Sequence, residues 1–296
     1  MMYSGCESFF YRVIFLQQSC RKCYDRLQNP DEIRAIESAV MTENQADTSP
    51  PNGAPPNDAP SSDKNGQSSG TAHNDVAAQL AAVQSQLAAA MAQRPSVYAT
   101  NPVTLVAVSK RQPDAKIDAA LAAGQRVFGE NRVQEATSRW AARRSQYADL
   151  TLHLIGPLQT NKVAEAVALF DVIEVVDRKK LARALATEMT RQNRHLPCFI
   201  QVNTGEEPQK SGILPDQLDD FFIFCRDDLG LSIQGLMCIP PVDEDAAMHF
   251  ALLNSMAKRL NLSSLSMGMS SDYTDAIGFG ATSVRVGSAI FGARPS

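Results

Sequence analysis

The sequence predicts a closed (β/α)8 TIM barrel, a member of the α/β class, preceded by a polar extension. Three observations predict it. From residue 103 onward, short apolar runs alternate with amphipathic stretches down to the C-terminus. Many of those runs are continuous Val, Ile and Leu rather than alternating, as happens where both faces of a parallel sheet are covered. The turn after the first run, Ser109-Lys110-Arg111-Gln112-Pro113, lacks glycine, whereas a doubly wound open sheet normally carries a Gly-rich turn there.

Taken in order, residues 1–40 are aromatic-rich and then mixed, enough for a short helix and no more. Residues 42–75 are dominated by Ser, Pro, Asn, Asp, Gly and Thr. They hold too little apolar surface to offset the entropy of ordering, so disorder is expected. The domain plan is therefore 1–75 as a largely disordered extension and 76–296 as the barrel. A helix is expected from Val76 to Gln93, with Leu80, Val83 and Leu87 on one face and Asn74 or Asp75 as its cap. Strands are expected at 103–109, 126–128, 150–155, 171–176, 197–202, 232–237, 264–267 and 283–286. Helices are expected between them at 113–123, 132–147, 160–169, 178–193, 215–226, 244–260 and 271–277.

The formal net charge of −4 gives no general pull toward nucleic acid. No apolar run approaches the ~18–20 residues of a membrane span, and the apolar stretch at 9–16 is broken by Arg12 and lacks a cleavage pattern. A cytoplasmic protein is expected. Cys20 and Cys23 form a lone C-x-x-C with no His at ligand spacing, so no metal is expected. Cys198, Cys225 and Cys238 lie in apolar context and read as small core residues.

In such a barrel the chemistry belongs to the C-terminal ends of the strands. Those positions hold Lys110, Gly129-Glu130-Asn131, His153 with Gly156, Asn203, Met267 through Asp272, and Arg285 through Ser288. Lys110 ends the first apolar run. Desolvation there penalises its ammonium form, which makes the amine a candidate nucleophile toward an aldehyde cofactor. Ser270 after the seventh strand, and Gly287 and Ser288 after the eighth, suit a phosphate dianion through backbone amides and hydroxyls. Arg285 stands inside an apolar strand and needs a partner, a ring nitrogen or a carboxylate. His153 reads as a pocket or a core histidine. Asn131 and Asn203 read as pocket residues or turn formers, and Glu130 and Asp272 as structural.

The stretches that carry these residues resemble a family. Val108-Ser109-Lys110, Phe128-Gly129-Glu130-Asn131 and His153-Leu154-Ile155-Gly156-Pro157-Leu158-Gln159-Thr160-Asn161-Lys162 are similar to the pyridoxal phosphate homeostasis proteins. So are Gln201-Val202-Asn203, Lys210-Ser211-Gly212, Gly235 through Pro240, Leu265 through Ser270 and Val284 through Gly292. The resemblance covers roughly residues 76–294 and leaves 1–75 aside. It implies a barrel like the N-terminal domain of alanine racemase, the type III fold of pyridoxal phosphate proteins. It implies pyridoxal 5′-phosphate held as a Schiff base on Lys110, its phosphate on Ser270, Gly287 and Ser288, and its pyridine nitrogen facing Arg285. Asn131 and His153 match pocket-lining positions.

The resemblance further implies storage or delivery of vitamin B6 rather than clear turnover; PLP-dependent apoenzymes are the expected recipients, and a monomer is expected. The residues agree. A guanidinium keeps its proton, leaving the ring nitrogen unprotonated and the electron sink weak. The chain also ends ten residues after Val286, leaving no room for the second domain that supplies a racemase's tyrosine base. No catalytic residue is therefore expected. The alternative is a racemase-like enzyme acting on a small amino acid.

Overall fold

The computed structural model describes residues 68–293, with side chains from Asp75 onward. The expectations for residues 1–67, including the Cys20–Cys23 pair, lie outside the described residues. Helix α1 spans Ser68–Gln93, so it begins before Val76, and Asn74 and Asp75 lie inside it rather than capping it. Asn and Asp each cost a helix interior no more than about 0.7 kcal/mol, too little to stop one that is otherwise Ala-rich. Val76, Leu80 and Val83 form its buried face. The compact unit runs Ala72–Ser296.

Eight parallel strands close into a barrel in sequence order. They are β1 (Thr104–Val108), β2 (Val127–Glu130), β3 (Thr151–Leu154), β4 (Val172–Val176), β5 (Cys198–Val202), β6 (Ile233–Cys238), β7 (Ser264–Ser266) and β8 (Ser283–Val286). Closure is direct: β1 pairs with β8 through Val106↔Arg285 and Ala107↔Val286, and with β2 through Ala107↔Phe128. The outer layer is α2 (Asp114–Ala122), α3 (Val133–Gln146), α4 (Val163–Leu169), α5 (Lys179–Gln192), α6 (Leu218–Ile223), α7 (Ala246–Arg259), α8 (Tyr273–Gly278) and the single turn α9 (Ser288–Phe291).

Local chemistry explains the boundaries. Pro113 precedes α2 with its fixed φ, and Asp114 follows in the first turn, where the helix dipole favours an acid. Asp245 caps α7 by accepting from the Ala247 amide. Asn193 ends α5 in the left-handed region, at φ 51°. Each helix buries one stripe. In α3 it is Val133, Ala136 and Trp140, and the Trp140 ring packs 4.7 Å from that of Phe128 on β2. In α5 it is Leu181, Ala182, Leu185 and Met189. Cys198, Cys225 and Cys238 are buried and free, and burial pushes their thiols up to about 12, as befits small core residues. Among the described residues no helix is long and apolar enough to cross a membrane, and no cluster of His, Cys, Asp or Glu could hold a metal ion.

Candidate functional site

Barrel closure brings together side chains that are distant in sequence. Arg285 is only 4% exposed and Glu174, in the middle of β4, is wholly buried. The guanidinium Nη1 of Arg285 donates to Ser266 Oγ at 2.7 Å, and its Nη2 donates to the Cys238 carbonyl at 2.7 Å. Ser266 Oγ in turn donates to Glu174 Oε2 at 2.5 Å. The other oxygen of Glu174 lies 2.5 Å from Nδ1 of His153. His153, Glu174, Ser266 and Arg285 thus form one buried chain across β3, β4, β7 and β8. Burial pushes the Glu174 carboxyl up. The hydrogen bond and charge of His153, the charge of Arg285 and the Ser266 hydroxyl outweigh that and hold it below its ordinary value. With Nδ1 committed to Glu174, Nε2 is the nitrogen His153 has left for another partner.

Of these four, the sequence singled out Arg285 and His153 but not Glu174 and Ser266. One signal was available: a lone carboxylate in the run Val172-Ile173-Glu174-Val175-Val176 must be paired if the strand is buried on both faces.

Lys110 follows β1 in a tight turn in which the Gln112 amide donates to the Ser109 carbonyl at 3.1 Å. Lys110 and Arg111 are its central residues, and Arg111 has φ 58°. A non-glycine residue in this region carries a cost of about 1–2 kcal/mol, so the turn must be held from outside. Arg139 of α3 holds it by donating to the Ser109 carbonyl at 3.0 Å and the Gln112 carbonyl at 3.0 Å. Glu130, at the end of β2, completes the arrangement. Its Oε1 accepts from Arg139 at 2.9 Å, Ser109 Oγ at 2.7 Å and Trp140 Nε1 at 3.0 Å. Its Oε2 is buried and makes no hydrogen bond.

On the other flank of β1, Gly287 follows β8. A side chain at Gly287 would start 3.4 Å from the Val108 carbonyl, so this backbone lies against the residue two positions before Lys110. The amides of Gly287 and Ala289 both point at Ser270 Oγ, at 3.2 and 3.4 Å. Two convergent amides and a hydroxyl make a concavity suited to an anion. The loop carrying Ser270 depends on Gly268, at φ 92°, whose Cβ position would fall 2.6 Å from that of Ala276. Asp272 accepts from the Met269 amide at 2.6 Å and fixes the same loop. Ser288 opens α9 and is exposed.

Asn131 follows β2. Its Oδ1 is buried without a partner. Gly156 after β3 lets the Asn131 backbone approach, since a Cβ there would fall 2.5 Å from the Asn131 carbonyl oxygen. Asn203 is occupied as a turn former, donating from Nδ2 to the Glu207 carbonyl at 2.8 Å while Oδ1 accepts from the Glu207 amide at 3.2 Å.

The alanine racemase N-terminal domain family matches residues 77–295. A pyridoxal phosphate homeostasis protein of Pseudomonas aeruginosa is 44% identical over 199 residues, 65% of this chain and 85% of that relative. The protein of the same name from Escherichia coli is 36% identical over 232 residues, 75% of this chain and 97% of that relative. PipY of Synechococcus elongatus, solved with PLP bound, matches with TM-score 0.64 and 38% identity over 73% of this chain and 100% of that one. Alanine racemase from Bartonella henselae, at 16% identity, TM-score 0.58 and coverage of 76% of this chain and 61% of that one, shares the fold. A family match over residues 77–295, with relatives 36% and 44% identical that are covered to 97% and 85% of their length, leaves one conclusion: the chain belongs to the pyridoxal phosphate homeostasis protein family.

Proposed function

We propose that this chain binds pyridoxal 5′-phosphate and holds it in reserve for PLP-dependent apoenzymes, with Lys110 as its covalent attachment point. The observation that carries the reading is the juxtaposition on neighbouring strands. The Gly287 and Ala289 amides with Ser270 lie against Val108, two residues before Lys110. The residues fit the cofactor. Ser270, Gly287 and Ala289 would take its phosphate, with Ser288 beside them. Asn131, whose Oδ1 is a buried acceptor without a donor, would take its ring hydroxyl. Arg285 and His153, aligned by Glu174 and Ser266, would face its ring. PipY, solved with PLP bound, supports the same reading. When bound, the cofactor supplies an electron sink for carbon centres attached to amines.

Storage rather than turnover is supported by the chain's own residues. Arg285 is a permanently charged donor engaged with Ser266 and Cys238, and cannot hand a proton to a ring nitrogen. The described tyrosines are engaged elsewhere: Tyr98 with Asn254, Tyr147 under Arg126, and Tyr273 with Gln86. None is left as an evident base. We read the protein as a cytoplasmic monomer.

Visible absorbance before and after borohydride reduction, followed by peptide mapping, tests the reading. Wild type should take up the cofactor and yield a modified peptide containing Lys110, and Lys110→Ala should lose the visible band. Modification of Lys162 or Lys210 instead would move the attachment point. Failure to take up the cofactor in excess would end the functional reading. Exchange of amino-acid α-protons in D2O, well above that given by free cofactor, would favour a racemase-like enzyme.

A further inference from the structure

We infer that Arg139, on the outer helix α3, is the positioning residue that sets Lys110 for covalent capture of the cofactor. The inference rests on the reading of Lys110 given above. Its own basis is that one guanidinium clamps both ends of the turn whose centre is Lys110-Arg111. Nη1 reaches the Ser109 carbonyl at 3.0 Å and Nη2 reaches the Gln112 carbonyl at 3.0 Å. The same Nη1 reaches Glu130 Oε1 at 2.9 Å, and that oxygen also takes the Ser109 hydroxyl at 2.7 Å. Nε lies 3.6 Å from Asp114, in the first turn of the following helix. The guanidinium is thus surrounded by two carbonyls and two carboxylates, all belonging to β1–α2 or to the end of β2. A planar fork satisfies such a set, and a single ammonium cannot.

The clamp holds a conformation that the turn would otherwise leave. Arg111 sits in the left-handed region at φ 58°, and releasing Ser109 and Gln112 lets that residue relax and carries Lys110 with it. Capture needs Nζ at the aldehyde carbon: nitrogen adds, the carbonyl oxygen leaves as water, and a C=N bond replaces C=O with no change of oxidation state. A displacement of about 1 Å is enough to weaken such a step severely. The phosphate concavity stands on β7 and β8 and does not share these hydrogen bonds, so grip and linkage separate.

The test compares two vitamers in equilibrium binding. Pyridoxal 5′-phosphate can link to an amine. Pyridoxine 5′-phosphate carries an alcohol in place of the aldehyde and cannot. Arg139→Lys keeps the charge beside Glu130 but loses the fork. Its affinity for pyridoxal 5′-phosphate should fall about tenfold or more, while that for pyridoxine 5′-phosphate changes by less than about twofold. Arg139→Gln, whose single amide can reach only one of the two carbonyls, should shift the ratio in the same direction, and it decides the matter should Arg139→Lys not fold. An unchanged ratio, or equal losses for both vitamers, overturns the inference and leaves Arg139 a residue that only braces the barrel. Lys110→Ala is run alongside. A wild type that binds neither vitamer, or a Lys110→Ala ratio like that of wild type, overturns the functional reading and the inference with it. A normal Lys110→Ala collapse with an unmoved Arg139→Lys ratio overturns the inference alone.

Discussion

Among the described residues two carboxylates are wholly buried, Glu130 and Glu174, and they are satisfied in opposite ways. Glu174 uses both oxygens, one toward His153 on the neighbouring strand and one toward Ser266 across the barrel. Glu130 gathers three donors on Oε1 and leaves Oε2 with none. The first arrangement exists only once the barrel has closed, because its members come from β3, β4, β7 and β8. The second is assembled from one turn, one strand end and the helix after it. The difference separates a carboxylate that ties distant strands together from one that shapes the backbone around a single lysine.

Breaking the Glu174 side should have the larger effect. Glu174→Ala leaves Arg285 and His153 buried without their acid, and should cost about 3–5 kcal/mol of unfolding free energy in urea titration. Acid provides the same break without mutation. The folded-state value of Glu174 lies below its ordinary 4.5, so the ionised form favours the fold. That contribution is fully present above the ordinary value and is lost as pH falls through the lower folded one. Unfolding free energies between about pH 6 and about pH 3 should therefore decline, and less steeply in Glu174→Gln. Glu130→Gln is the milder counterpart. It keeps one acceptor for Arg139, Ser109 and Trp140 and loses the charge, at a cost of about 1–3 kcal/mol by the same titration. Ser109→Ala removes one of the three donors and should cost about 1 kcal/mol. If Glu130→Gln proves as damaging as Glu174→Ala, the contrast between the two carboxylates fails.

The same contrast explains what could be read from the sequence. Most strands were legible because a strand covered on both faces is largely apolar, a property of each run by itself. Lys110, Ser270, Gly287 and Arg285 stood out because strand ends carry the chemistry in this architecture, so position alone singled them out. Glu174 and Ser266 did not. They are 92 residues apart, and their pairing follows from which strands face each other across a closed barrel. Arg139 was equally hidden. It is an ordinary arginine on an amphipathic helix until the turn it clamps is seen to need clamping. The start of α1 was misplaced because Asn74 and Asp75, good caps, are also tolerable inside a long helix.

One neighbour of Glu130 opens a direct view of this machinery. The chain contains a single tryptophan, and it is Trp140, fully buried with its indole nitrogen on the carboxylate that organises the lysine turn. Emission excited at the red edge of the ultraviolet band, where the six tyrosines do not absorb, is therefore a one-site optical signal. Loosening of the turn would admit water and shift the emission to longer wavelength. Arrival of a visible-absorbing chromophore at the barrel mouth would dim it by energy transfer without shifting it. Wild-type protein thus carries its own reporter for telling local slackening from occupancy, without a label.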